Sequence, residues 1–140
     1  RGYLTPGLTK RFGRRPALVM SGLIWAVWHF PLIIFAGYQY GAGYYGAPFT
    51  GLIAMCIFTT VVGIMLSFLY EKTKCIWVPA IAHGAINAVA AIGLYFTDGK
   101  MTGYILGPTL AGLISIIPLA IVSLIVLMRE TKEVQSENIE

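Results

Sequence analysis

The chain has 140 residues, 57% of them hydrophobic and 11% charged, with a mean hydropathy of +0.75 and a net charge of +4. That balance excludes an ordinary water-soluble domain. The positive charge sits in short clusters beside apolar stretches and in no nucleic-acid motif, so it implies attraction to anionic headgroups of a lipid bilayer, with no nucleic acid as partner.

Residues 17–37, 50–70, 76–96 and 105–128 carry few or no charges. Each approaches the roughly 20 residues a helix needs to cross about 30 Å of hydrocarbon. In lipid the backbone must satisfy its own hydrogen bonds, which favours helices over open strands. The expected fold is therefore all-α, a polytopic membrane helix bundle with four transmembrane helices. Residues 1–128 read as one domain, and residues 129–140 as a short, frayed polar tail on the cytoplasmic side.

In chain order, residues 1–15 form a polar approach in which Pro6-Gly7 marks a turn and Lys10 to Arg15 a basic interfacial segment. The first span places Gly22, Trp25 and His29 on one face, and Pro31 predicts a kink beside His29 with a freed carbonyl at Val27. The Gly- and Tyr-rich stretch 38–49 has the composition of an interfacial belt. The second span repeats Thr59, Gly63 and Ser67 at i, i+4, a small-residue seam for close helix approach. Cys56 and Cys75 lie too far apart along the span to suggest a disulfide.

The third span carries His83 and Asn87 at i, i+4, with Ala80, Gly84, Ala88 and Ala91 keeping it slim enough for the bundle centre. The fourth holds no ionisable residue and reads as packing. Lys10, Arg11, Arg14, Arg15, Lys72, Lys74, Arg129 and Lys132 fall at one set of span ends and Lys100 alone at the other. That asymmetry predicts both termini in the cytoplasm.

His29 and His83 are the chain's two histidines, and both lie within apolar spans. An ionisable group at mid-membrane costs roughly 2–3 kcal/mol or more, so each is a candidate functional residue. Counted from the starts of their spans, the two differ in depth by roughly 7–8 Å at 1.5 Å per residue.

Trp25 to His29 resembles the aromatic-xxx-His motif of the CAAX-protease and bacteriocin-processing (CPBP, or Abi) family of intramembrane proteases. His83 to Asn87 resembles that family's His-xxx-Asn motif, and Arg1-Gly2-Tyr3-Leu4 the end of its first motif, Glu-Glu-x-x-x-Arg. The resemblance implies an intramembrane endopeptidase in which a glutamate activates water. His29, His83 and Asn87 would be catalytic, stabilising the oxyanion or positioning the water, with Arg1 and Trp25 associated with the motifs. In some accounts the histidines bind a metal. Zinc or another divalent ion on His29 and His83 is thus compatible, though the glutamate-water reading requires no cofactor.

The implied partner is a peptide or protein substrate, membrane-anchored in some members, and the implied location a bacterial plasma membrane. The glutamate pair should stand four and five places before Arg1. The chain therefore reads as an N-terminally incomplete member, inactive as it stands. Two other readings remain open: a non-catalytic scaffold or bacteriocin-immunity protein of the same fold, and a haem protein with His29 and His83 as axial ligands.

Overall fold

The computed structural model describes residues 2–41, 43–90, 92–96, 105–107 and 109–137. They form five α-helices and one 3-10 helix: α1 (Leu4–Phe12), α2 (Arg14–Ala36), α3 (Phe49–Thr73), α4 (Trp77–Val89), a 3-10 turn (Ile92–Phe96) and α5 (Ile117–Glu137). No strand occurs among the described residues. Arg1, Ala91 and Lys100 lie outside them.

Two helices are long and apolar enough to cross a membrane, α2 with 23 residues and α3 with 25. At 1.5 Å per residue these are about 35–38 Å long, more than the hydrocarbon core requires. Their outward faces remain apolar: Leu23, Val27 and Ile34 on α2 and Ile53 and Ile57 on α3 are all exposed. Such a surface suits lipid rather than water.

The third and fourth expected spans differ from that picture. Helix α4 has 13 residues, then tightens: the Ala90 N–H donates to the Asn87 carbonyl and a 3-10 turn follows. The apolar helical part of the fourth stretch is Ile117–Met128, because residues 105–116 double back instead of coiling. The Leu113 and Ile114 N–H groups donate to Ile105 and Leu106 carbonyls at 2.9 and 3.0 Å. Gly112 makes this reversal feasible, since a Cβ there would lie 2.5 Å from the Gly107 Cα. Leu110 N–H then caps the Ala90 carbonyl at 3.2 Å, closing the end of α4. Helix α5 continues to Glu137, so the helix extends well into the stretch expected to fray.

The N-terminal approach is also helical. Pro6 and Gly7 lie within α1, where Pro6 falls in the first turn and its missing N–H has no helical partner to lose. Gly13, at φ 80°, breaks the chain between α1 and α2, and α1 folds back along α2. Buried Thr5 donates its hydroxyl to Ser21 Oγ at 3.3 Å. At the same end Arg14 forks onto Glu71, with Nη2 2.6 Å from Oε2, tying the start of α2 to the end of α3.

Helix α3, rather than α4, is central: it contributes to all three apolar clusters and packs against α2, α4 and α5. On α4 only Pro79 is buried, and Ala80, Gly84 and Ala88 are exposed. The small-residue seam does lie inside, with Thr59, Gly63 and Ser67 all buried. Thr59 Oγ1 donates to the Gly22 carbonyl at 2.9 Å. Tyr40 and Tyr44 are core residues, not an interfacial belt. Burial, with Tyr44 beside it, holds the Tyr40 phenol well above its ordinary pKa, and it donates to the Ala111 carbonyl at 3.2 Å.

A Cβ on Gly22 would lie 2.5 Å from Thr60 Cα, a backbone atom that cannot swing away. Gly22→Ala should therefore cost about 1–3 kcal/mol of stability. Gly84 has nothing within 4 Å, so Gly84→Ala should be neutral or gain up to about 1 kcal/mol. Thermal unfolding in detergent checks both, and equal melting of Gly22→Ala and the parent chain would refute the tight crossing.

Candidate active site

Helix α2 presents Ser21 and Gly22 to its neighbours and then, on the following turns, Trp25 and His29. His29 is 8% exposed. Its Nδ1 lies 2.9 Å from the carbonyl oxygen of Trp25, one turn back, and not at Val27, whose carbonyl Pro31 leaves without a helical donor. A carbonyl oxygen only accepts, so Nδ1 carries the hydrogen. In the neutral ring Nε2 is then a bare acceptor.

On α4, Asn87 Nδ2 lies 3.4 Å from His83 Nε2. An amide nitrogen only donates, so His83 Nε2 accepts and its neutral ring is protonated at Nδ1. Asn87 retains a second amide hydrogen for another acceptor.

Trp25 joins the two helices. Its ring centre is 5.8 Å from that of His29 and 5.2 Å from that of His83, the latter edge-on at 88°. The two imidazoles are therefore both neighbours of one indole. Trp28 meets His29 edge-on at 4.8 Å, and Tyr38 stacks on it at 5.8 Å and 19°. A cavity of about 220 Å³ is lined by His29, His83 and Asn87 together with Trp25, Trp28 and Tyr38. It exists because α4 packs on α3 and leaves a gap to α2 that only long side chains bridge.

A second, larger space of about 500 Å³ adjoins it, sharing Trp25, Trp28 and His83. Gly2 and Leu4 line it too, so the start of α1 enters the same cleft. Arg1 itself lies outside the described residues.

Tyr38 was absent from the candidates read in sequence. Its signal was Gly37, a helix-ending glycine in the left-handed region at φ 61°. The Gly37 and Tyr38 N–H groups both turn back to the Leu32 carbonyl, which folds Tyr38 over His29.

The described residues do not by themselves complete a metal site. Among the described residues no group of three His, Cys, Asp or Glu side chains forms, whereas a catalytic zinc takes three protein ligands. Glu71 is engaged by Arg14, and both cysteines are free thiols outside the cavity. A haem fits no better, since the Trp25 indole contacts both imidazoles where a macrocycle would have to lie.

A family model described as type II CAAX prenyl endopeptidase Rce1-like matches residues 1–89. The chain belongs to this family. No curated protein and no solved structure gives a significant match. The Rce1-like match covers α1 to α4, and with them every candidate residue from Trp25 to Asn87. Membership of a membrane-protease family agrees with the two apolar spans, and with the resemblance to the CAAX-protease and bacteriocin-processing proteins seen in the motifs.

The hydrogen-bond geometry makes a spectroscopic prediction. In chain labelled with 15N-histidine, the neutral form of each imidazole should show a protonated Nδ1 and a bare Nε2. The opposite tautomer at His29 would mean that the bond to the Trp25 carbonyl is not made.

Proposed function

We propose that the chain bears the histidine part of an intramembrane endopeptidase site that hydrolyses a peptide bond in a protein substrate held at the membrane. The observation that carries this reading is the single cavity lined by His29, His83 and Asn87. Family membership supports it.

The missing component is a general base. Stepping back along α1 from Thr5 while stepping forward along α2 from Ser21 brings Gly2 level with Ile24 and Trp25, and these residues do line one space. The resemblance to the family's first motif implies a glutamate four places before Arg1 as that base. Its carboxylate would take a proton from water, and the oxygen would attack the scissile carbonyl carbon.

His29 Nε2, an acceptor in the neutral ring, suits holding the water's other hydrogen. The remaining Asn87 amide hydrogen suits the developing oxyanion, with His83 holding the amide in place. Collapse of the tetrahedral adduct breaks the C–N bond, and the glutamic acid returns its proton to the leaving amine. No step passes through a metal. In this reading the end carrying Arg14, Glu71 and Lys72 faces the cytoplasm, following the bias of the loop charges.

Removing one oxyanion-side donor typically lowers turnover about 100–1000-fold. In chain preceded by the glutamate-bearing segment, His29→Ala, His83→Ala and Asn87→Ala should each fall in that range while melting at the parent temperature. The 140 residues assayed alone should show no cleavage. Near-normal turnover by His83→Ala would sink its assigned role.

A further inference from the structure

A third cavity, of about 330 Å³, lies between α1 and the end of α3, away from the candidate active site. Lys10, from the last turn of α1, and Lys74, the residue that ends α3, both line it. Neither lysine meets a carboxylate within ion-pair distance among the described residues. Glu71 also lines the wall, but its carboxylate is held by the Arg14 guanidinium through both oxygens. The cavity therefore keeps two net positive charges. The Tyr70 phenol adds a hydroxyl with no hydrogen-bond partner among the described residues.

The level of this cavity matters as much as its charge. Arg14 begins α2 and Thr73 ends α3, so the lysines stand where the apolar spans give way to headgroups. Tyr70 belongs to two walls at once: it also lines the 500 Å³ groove. That groove runs over Leu66, Ile76 and Pro79 to Trp28 and His83, and from Ser21 to Trp28 along α2 it descends about 10 Å. A basic, hydroxyl-bearing cup that shares the Tyr70 wall with an apolar groove fits a single amphiphile.

We propose that Lys10, Lys74 and Tyr70 form a binding site for the phosphate of an anionic glycerophospholipid whose acyl chain lies in the adjoining groove. Basic pockets between helices on the cytoplasmic side of membrane proteins hold such headgroups, and each lysine near an anionic surface contributes about 1 kcal/mol, or roughly fivefold in affinity. The neighbouring apolar groove favours lipid over free phosphate. The groove shares Trp25, Trp28 and His83 with the candidate active site. The readout is binding, however, and none of the residues changed below lines the cavity that holds His29 and Asn87, so the two readings fail separately.

Native mass spectrometry of the 140-residue chain in nonionic detergent tests it, by titration with dioleoyl phosphatidylglycerol. We expect one lipid per chain, retained against equal inorganic phosphate. Dihexanoyl phosphatidylglycerol should bind at least about tenfold more weakly, because it buries far less chain. Lys10→Gln/Lys74→Gln should weaken dioleoyl phosphatidylglycerol roughly 30-fold, two lysines at about fivefold each. A charge-matched control, Arg11→Gln/Lys72→Gln, removes two cations that lie over Phe12 and Phe68 outside the cavity and should leave binding within about twofold of the parent. Three outcomes would overturn the proposal: displacement of the lipid by equal inorganic phosphate, equal binding of phosphatidylcholine, or a control pair that loses as much as the cavity pair.

Discussion

The close crossing of α2 on α3 at Gly22 is the constraint on which the other features rest. There is no room for a β-carbon between Gly22 and Thr60, and the Thr59 hydroxyl reaches across to the Gly22 carbonyl. Lipid tails give little hydrophobic drive for two apolar helices to associate. Close backbone approach with a buried hydroxyl, worth about 0.6 kcal/mol on average, must hold them. Trp25 and His29 stand on the next turns above that crossing, so the same contact sets which way they face. The Thr5–Ser21 and Arg14–Glu71 contacts extend the arrangement to α1 and to the membrane surface.

Holding two imidazoles in apolar surroundings then becomes a matter of satisfying their nitrogens. Each histidine bonds to a group one helical turn away on its own helix, His29 back to a carbonyl and His83 forward to an amide. These local partners point each neutral ring to the Nδ1–H tautomer. The consequence is an asymmetry of roles that spacing alone does not reveal, in which His29 offers an acceptor toward the cavity and Asn87 a donor.

Much of this was legible in the residues. The lengths of α2 and α3, the Thr59–Gly63–Ser67 seam and the pairings Trp25/His29 and His83/Asn87 follow from apolar run length and helical period. What escaped was set by contacts between distant residues. Hydropathy reads residues 105–116 as the start of a span, but Gly112 lets the backbone approach Gly107 and fold back. Tyr40 and Tyr44 look like interface anchors by composition and are instead buried against Met55 and Ala111. Small residues along α4 suggest a central helix, and the structure gives that place to α3, whose seam bears the close crossing. Pro6-Gly7 reads equally as a turn or as the first turn of a helix, and only the packing of Thr5 on Ser21 distinguishes the two.

The peripheral place of α4 has a functional logic. Were it packed on α2 as closely as α3 is, Trp25 and His83 would fill the gap and no substrate backbone could reach His29. With α4 seated chiefly on α3, Trp25 stands as a spacer that contacts both imidazoles across the cleft. The larger groove meets this cleft at Trp25, Trp28 and His83, so the approach to the histidines is apolar and starts near the basic membrane surface. A chain segment or lipid tail following that groove leaves headgroup level at Tyr70, passes Ser21 and reaches His83. An extended peptide entering the same way would have to shed water along the groove, and would meet the two histidines and Asn87 at its far end.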